Sequence, residues 1–523
     1  MAGLVQVVTQ PLSTADPTEK DQRMNETLMQ LMSEENLLPT EDESARRITT
    51  MAKLNEIVGA FIKRVHERKG LMDYYTENAS YQLRTFGSYR LDVHLPGADM
   101  DTVVIVTRNV DRTDMFEDLY VHLASRSDVK DLIKVEEARV PVIKFEMDDF
   151  EFDLAMARLA YNQIPDDFDV TDDKHLKNVD QQSVTSLNGV RVTDTIQNLV
   201  PTMKTLKFCI RALKLWAKRR GVYKNVLGFL GGISIEIMAA RVGQLYPKAL
   251  PSKLLYLFFM VYAQWKWPQP VGLTDINVNS CDLNLPVWGS GPTEMNDRRH
   301  AMPIITPCYP AQNATANVSK STLKVMTDEF TRARDICKQV DEGKAEWSEL
   351  FEPLDVFSKY ANFLQVQAVA TSKGDYDMWK GYTEANLRVV VSYVEKWQDA
   401  YLERAHPCQR NFKKPRASED EPYHHYWYIG LKFDLEKMKA DGKKAPNVAG
   451  PVKDFKSRLM NWPKRKEGMI LYVTSKKQKD LPTFVTAPEE EEEALVEEGI
   501  EQQLLRASQQ TADAEAEEVQ GGG

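Results

Sequence analysis

Two aspartates one residue apart, Asp99-Met100-Asp101, lead into the apolar run Val103–Val106, and the tripeptide Phe86-Gly87-Ser88 stands shortly before them. On a β-strand residues i and i+2 face the same side, so Asp99 and Asp101 would present both carboxylates together. A third acid, Asp153, lies between Phe152 and Leu154 in a later strand-like stretch; Glu151, also flanked by apolar residues, is its rival by pattern. Three converging carboxylates repel one another and raise each other's pKa unless a cation intervenes. Hard oxygen ligands suit Mg2+ or Mn2+, and two such ions about 4 Å apart can clamp an in-line displacement at phosphorus. Gly87 suits the same chemistry, because without a Cβ the backbone N–H groups can approach phosphate oxygens closely, and Ser88 adds a hydroxyl donor. Either feature alone is a common surface turn. In this order, running into an apolar strand, they predict a metal-assisted phosphoryl-transfer site.

The elements that must position these groups are legible as changes of period. Ile48, Met51, Leu54, Val58, Phe61 and Val65 recur at steps of three and four, predicting a helix with Arg46, Arg47, Lys53 and Lys63 outside. From Tyr81 to Leu159 the period falls to two, with Thr102–Val106, Val140–Phe145 and Phe150–Leu154 reading as strands and Met147-Asp148-Asp149 as a turn. A helix followed by strands indicates an α+β or mixed unit. Residues 205–265 read as helical; in Thr205–Arg220 an apolar stripe runs beside the basic stripe Lys207, Arg211, Lys214 and Lys218, whose plain reading is a solvated face.

Farther on, Phe363–Ala370 reads as a strand, Trp379–Val394 as a helix, Tyr401–Ala405 and Tyr426–Phe433 as strands, Val452–Trp462 as a helix and Met469–Thr474 as a strand. That order, βαββαβ, is a plan shared by many RNA-recognition modules and by many other proteins. Lys413, Lys414 and Arg416, then Lys464, Arg465 and Lys466, supply positive charge near its loops. Residues 1–40 show no sustained period, and are expected to pack on the central helices or stay loose.

Composition bounds the class. Of 523 residues, 42% are apolar and 28% charged, as in a globular chain of about three domains. The longest apolar run, Leu254–Ala263, is too short for a bilayer, and no signal peptide is recognisable. The five cysteines are scattered without a CxxC pair, which argues against a disulfide framework or zinc site and suits a reducing compartment. The net charge of −10 is local: residues 489–523 hold 12 acids and one base, net −11, leaving +1 for everything else. The body can therefore meet a polyanion, and the acidic tail is expected to be solvated and disordered.

At larger scale the chain resembles the nucleotidyltransferase superfamily and, within it, the eukaryotic nuclear poly(A) polymerases. The resemblance spans most of residues 8–480. It rests on Phe86-Gly87-Ser88-Tyr89-Arg90-Leu91 with Gly97-Ala98-Asp99-Met100-Asp101, on Ser186-Leu187-Asn188-Gly189 with Arg191-Val192-Thr193-Asp194, and on Ala212–Arg220 with Asn225–Gly232. Trp265-Lys266-Trp267-Pro268, Asn284–Trp288 and Met302–Pro307 follow in order. It implies an α+β multidomain chain: a mixed-sheet, polymerase-beta-like catalytic domain (1–165), a helical central domain (166–350), an RRM-like, ferredoxin-like RNA-binding domain (351–485) and a tail (486–523). It implies that Asp99 and Asp101 hold both metals and that Asp153, preferred to Glu151, holds the one at the primer hydroxyl. Lys144, Lys214 and Tyr223 would meet the ATP triphosphate, with Phe86 and Ser88 beside it; Asn188 would meet the ribose; Val140, Asn225, Gly232 and Ile233 would line the adenine site. The implied activity is template-independent adenylate addition to RNA 3′ ends by a monomer in the nucleus, alongside 3′-end processing factors. A terminal uridylyltransferase or cytoplasmic tailing enzyme, and an RNA-binding scaffold with a decayed transferase, are the competing readings.

Overall fold

A computed structural model describes residues 4, 5, 8–71, 80–291, 294–414, 416, 418–482 and 485; the expected acidic tail, 486–523, lies outside the described residues. The chain forms two compact units, the first comprising residues 1–216, 231–315 and 330–351 and the second 217–230, 316–329 and 352–523. Among the described residues no helix is long and apolar enough to cross a membrane.

The first unit is built on a five-stranded sheet ordered β2-β3-β6-β5-β4, from β2 (Tyr81–Thr85), β3 (Met100–Val106), β4 (Val129–Val135), β5 (Val142–Met147) and β6 (Phe150–Arg158). All neighbours pair antiparallel except β3 and β6, which run parallel with Asp101 opposite Asp153. Alternation along β3 sends Met100, Val104 and Val106 into one core and Val103 and Ile105 into another. The first core is closed by α2 (Glu41–Arg68) through Leu54, Val58, Phe61 and Val65, each burial stabilising by roughly 1.5–3 kcal/mol. The second is closed by α3 (Gln181–Leu199) through Val184, Leu187 and Val190.

The start of α2 departs from the periodic expectation. Thr40 caps it by accepting from the Glu43 N–H, so the helix begins seven residues before Ile48. Ile48 is 66% exposed, whereas Arg47, expected outside, is fully buried. Its guanidinium bonds Glu43 and the Ala98 carbonyl (2.7 Å) and lies 4.7 Å from the Phe150 ring centroid, so specific partners outweigh the cost of burying it. Period alone also missed α1 (Glu19–Glu34), where Met24, Leu28 and Met32 recur every fourth residue and the helix packs on the helix Pro251–Ala263.

Around the sheet, α4 (Met203–Arg219) leads toward α5 (Gly232–Leu245) and α6 (Pro251–Ala263). Half of its basic stripe is not a solvated face: Lys218 is exposed and Lys207 partly so, but Arg211 and Lys214 are both 4% exposed, and Arg211 bonds Asp92 at 2.8 Å. On the apolar side Trp216 meets Phe259 and Phe330 at centroid distances of 4.8 and 5.6 Å.

The second unit holds β8 (Asn362–Ala370), α8 (Lys373–Lys396), β9 (Leu402–Lys414), β10 (Tyr423–Phe433), α9 (Ala449–Met460) and β11 (Ile470–Lys477). The four strands form an antiparallel sheet ordered β11-β8-β10-β9, the split βαβ arrangement. The strand expected at Tyr401–Ala405 runs on to Lys414, and Tyr401 itself stands outside it at φ 48°. Pro407 is tolerated because β9 is an edge strand.

Trp216→Ala should cost about 3–5 kcal/mol, read as a lowered midpoint in chemical denaturation; an unchanged midpoint would remove the aromatic cluster from the core.

Candidate active site

The parallel β3/β6 register dictates the centre of the site. Asp101 and Asp153 are opposite one another on the face that α3 covers, and Asp99 lies two residues before Asp101, just ahead of the strand. Their carboxylates each offer an oxygen within 4.8 Å of the other two. Antiparallel pairing of β5 with β6 brings Lys144 beside Asp153, Nζ to Oδ2 2.5 Å. Glu151 is exposed, in β6 two residues before Asp153.

Burial pushes the Asp101 carboxyl up to about 7, reinforced by Asp99, then Asp153, then Glu236, with Lys144 opposing. A cluster that destabilises its own charges and consists of oxygen donors fits a divalent cation.

Above the carboxylates, Phe86-Gly87-Ser88 turns from β2 into one helical turn, Gly87–Arg90. Gly87 has φ +63°, a conformation that favours glycine, and a Cβ there would sit 2.8 Å from Asp101 Oδ2 and push that carboxylate aside. Its N–H donates to Thr193 Oγ1 of α3 at 2.9 Å. Phe86 rests on Gly189, where a Cβ would lie 2.5 Å from the ring. Next to it, Asn188 carries a buried Oδ1 with no hydrogen-bond partner among the described residues. Ser88 is half-buried in the same turn, and Val140 packs half-buried on the same core as Phe86.

Lys214 approaches from α4. Its Nζ donates to Glu236 Oε1 at 2.9 Å, and the two side chains are 5% and 2% exposed. Glu236 Oε2 is buried without a partner among the described residues. Gly232 and Ile233 occupy the first turn of α5, about one turn before Glu236, and that helix contacts the Gly87–Arg90 turn. Glu236 is absent from the sequence reading of the site. Its signal was available: an acid inside the otherwise apolar run Ile235–Ala240 must have a cationic partner.

Tyr223 and Asn225 belong to the second unit. The Tyr223 carbonyl accepts from Gln409 at 3.0 Å, and Asn225 Oδ1 accepts from Asn317 at 2.9 Å. The same unit carries the basic residues. Lys413 and Lys414, expected near a loop, end β9 itself; Lys414 pairs with Glu421 at 2.6 Å, and Arg416 donates to the Glu421 carbonyl. Lys464 is exposed and Lys466 pairs with Asp375 at 2.5 Å. Arg465 donates to the carbonyls of Met460 and Met469, both at 2.9 Å.

Glu236→Ala would strand the Lys214 ammonium in a closed site and should destabilise by about 3–5 kcal/mol; a loss under about 1 kcal/mol in chemical denaturation would show that the ammonium relaxes without its partner.

Comparison with known proteins agrees along nearly the whole chain. Residues 8–200 match the poly(A) polymerase nucleotidyltransferase domain, 205–353 the poly(A) polymerase central domain, and 355–425 with 413–494 the poly(A) polymerase predicted RNA binding domain. Nuclear poly(A) polymerase 1 of Arabidopsis thaliana is 38% identical over 479 residues, covering 91% of this chain and 66% of that protein. The poly(A) polymerase of Dictyostelium discoideum is 35% identical over 489 residues, covering 92% and 60%. The chain thus spans roughly three-fifths to two-thirds of the length of these relatives. A solved Cid1 poly(U) polymerase matches at 17% identity and TM-score 0.44, over 64% of this chain and 99% of its own, a likeness too weak to carry an argument. With three successive domains matched in order and relatives above one-third identity over nine-tenths of its residues, the chain belongs to the poly(A) polymerase family.

Proposed function

We propose that this protein is a polynucleotide adenylyltransferase: without a template it transfers AMP from ATP to the 3′-hydroxyl of RNA and releases pyrophosphate. The observation that carries the reading is the convergence of Asp99, Asp101 and Asp153 within 4.8 Å beneath the Gly87 turn. Asp99 and Asp101 would hold two divalent ions, Mg2+ or Mn2+, and Asp153 the one beside the primer. Bound there, the ions would lower the pKa of the attacking hydroxyl and neutralise charge on the leaving pyrophosphate.

The chain's own groups do the rest. The Gly87 turn and the Ser88 hydroxyl receive phosphate oxygens beside Phe86, with Lys144 and Lys214 supplying countercharge and hydrogen bonds. Lys214 suits that role because its ammonium is held out of water, where each contact is worth more. Asn188 offers its unpartnered Oδ1 to a ribose hydroxyl. Val140, Gly232 and Ile233 bound the adenine. Shape and a few base-edge contacts then select ATP over other nucleotides.

In the same reading residues 1–165 perform the chemistry, 166–350 form the helical middle and 351–485 hold RNA, using Lys413, Lys414, Arg416, Lys464, Arg465 and Lys466. The named nuclear relatives support a nuclear site of action; there the chain would work as a monomer alongside 3′-end processing factors. Retention of Asp99, Asp101, Asp153, Ser88 and Lys214 together speaks against a decayed scaffold.

Incubation of the purified chain with a short RNA, Mg2+ or Mn2+ and each nucleoside triphosphate separately should extend the RNA with ATP; preferential extension with UTP would make it a uridylyltransferase. Asp101→Ala should abolish extension while leaving folding and RNA affinity intact, and ordinary extension by that variant would overturn the site. Lys464→Ala with Lys466→Ala should flatten the logarithmic salt dependence of RNA binding by up to about two. Arg465 is left unchanged because it ties two backbone carbonyls. An unaltered slope would remove this cluster from the RNA surface.

A further inference from the structure

The two lysines assigned to the triphosphate are both already engaged by carboxylates. Lys144 Nζ lies 2.5 Å from Asp153 Oδ2, and Lys214 Nζ lies 2.9 Å from Glu236 Oε1. Their settings differ. Lys144 is 47% exposed, so water competes for its partner, whereas Lys214 and Glu236 are shut away from solvent, where the attraction between them is stronger.

Hydrogen bonds tie this buried pair to the Gly87 turn. The Lys214 ammonium also donates to the Val93 carbonyl at 3.4 Å, and the Val93 N–H donates to the Ser88 carbonyl at 2.9 Å. The helix that carries Glu236, α5, packs against the same turn. An ammonium has three hydrogens, so Glu236 and Val93 leave one for a phosphate oxygen. Lys214 is thus held at the turn, ready to meet phosphate, but its charge is already answered.

Glu236 brings more charge than holding a lysine requires. It stands among Ile235, Ile237, Met238, Ala239 and Ala240, all fully buried. Its Oε2 has no hydrogen-bond partner among the described residues, so half of the carboxylate does nothing for Lys214. A neutral amide would offer the same single acceptor. The charge is felt at the centre of the site, where Glu236 adds to burial and to Asp99 and Asp153 in raising the Asp101 carboxyl. Four carboxylates therefore stand against two ammonium groups, Lys144 and Lys214. A triphosphate reaching Lys214 sets its own anionic oxygens against Glu236, and like charges brought together out of water cost affinity.

We propose that Glu236 is a positioning residue that competes with the triphosphate for the Lys214 ammonium and so sets the chain's affinity for its nucleotide. Glu236 acts through Lys214 and does not itself touch the substrate. As pyrophosphate leaves, the carboxylate retakes the ammonium, which favours release of a product carrying the same anionic oxygens. This role rests on the reading of the site as one for a nucleoside triphosphate, and it adds the residue that restrains binding there.

Calorimetric titration of the full chain with ATP and with adenosine, in the absence of RNA, tests it. In Mg2+ the unsubstituted chain should bind ATP; failure to do so would sink the nucleotide reading itself. Glu236→Gln keeps an acceptor for Lys214 and removes the charge. It should bind ATP roughly tenfold more tightly, in Mg2+ and in EDTA alike, and bind adenosine as the unsubstituted chain does. A residue that only supports the fold would give the opposite sign, weaker binding, and would not separate ATP from adenosine. ATP bound by Glu236→Gln no more tightly than by the unsubstituted chain would overturn the role of Glu236, and so would an equal gain for adenosine. One comparison needs no variant, should the substitution lower the melting midpoint. In EDTA the unsubstituted chain should bind ATP no more tightly than adenosine, because carboxylates hold both ammonium groups. Tighter binding of ATP there would reveal an available ammonium and end the idea.

Discussion

Repulsion among carboxylates is the constraint around which the first unit is organised. Asp101 and Asp153 come together because β3 and β6 run parallel in register, and burial, reinforced by the neighbouring carboxylates, raises the Asp101 carboxyl toward neutrality. Such an arrangement persists only where the surrounding packing over-determines it. Here one core fills the sheet face under α2 and a second fills the face under α3, so the strand ends cannot splay to relieve the charge. Lys144 offers partial compensation across β5, and the Gly87 turn fits into the space a Cβ would take from Asp101. Strand register, glycine geometry and charge therefore serve one requirement, a place where cations are more welcome than protons.

Where the physics was periodic, the sequence made the elements legible. Leu54, Val58, Phe61 and Val65 announce α2, and alternation around Val103–Val106 announces β3; the strand and helix order of the second unit follows from its own pattern. What escaped was stabilised by partners distant in sequence. Arg47 is buried because Ala98 and Phe150 receive it, and no local pattern reveals that. The α3 helix buries Ser183, Ser186, Arg191 and Thr193 as well as its aliphatic residues, so it shows no polar side to contrast with an apolar one. The terminal guanidinium nitrogens of Arg191 donate to the carbonyls of Val170 and Tyr309 and to Asp173.

The site itself divides the same way. The paired aspartates and the glycine turn declare themselves by spacing, because strand geometry converts spacing into direction. Roles for Asn188 and Lys214 came only from resemblance to a family, since a lysine on a basic stripe and an asparagine in a helix have ordinary explanations. The buried environment of each, an orphaned Oδ1 in one and a closed ion pair in the other, is tertiary information. Lys214 in particular shows how an amphipathic reading fails when a polar stripe faces an opposite charge instead of water.

The Lys214–Glu236 contact also constrains how this chain can change over generations. With both side chains shut away from solvent, either partner alone is costly to lose, so the two positions should drift together. A joint replacement by apolar residues of similar volume can leave such a core as stable as before. The chain could therefore lose the Lys214 ammonium and stay folded, and such a descendant would be marked by two coupled changes on neighbouring helices.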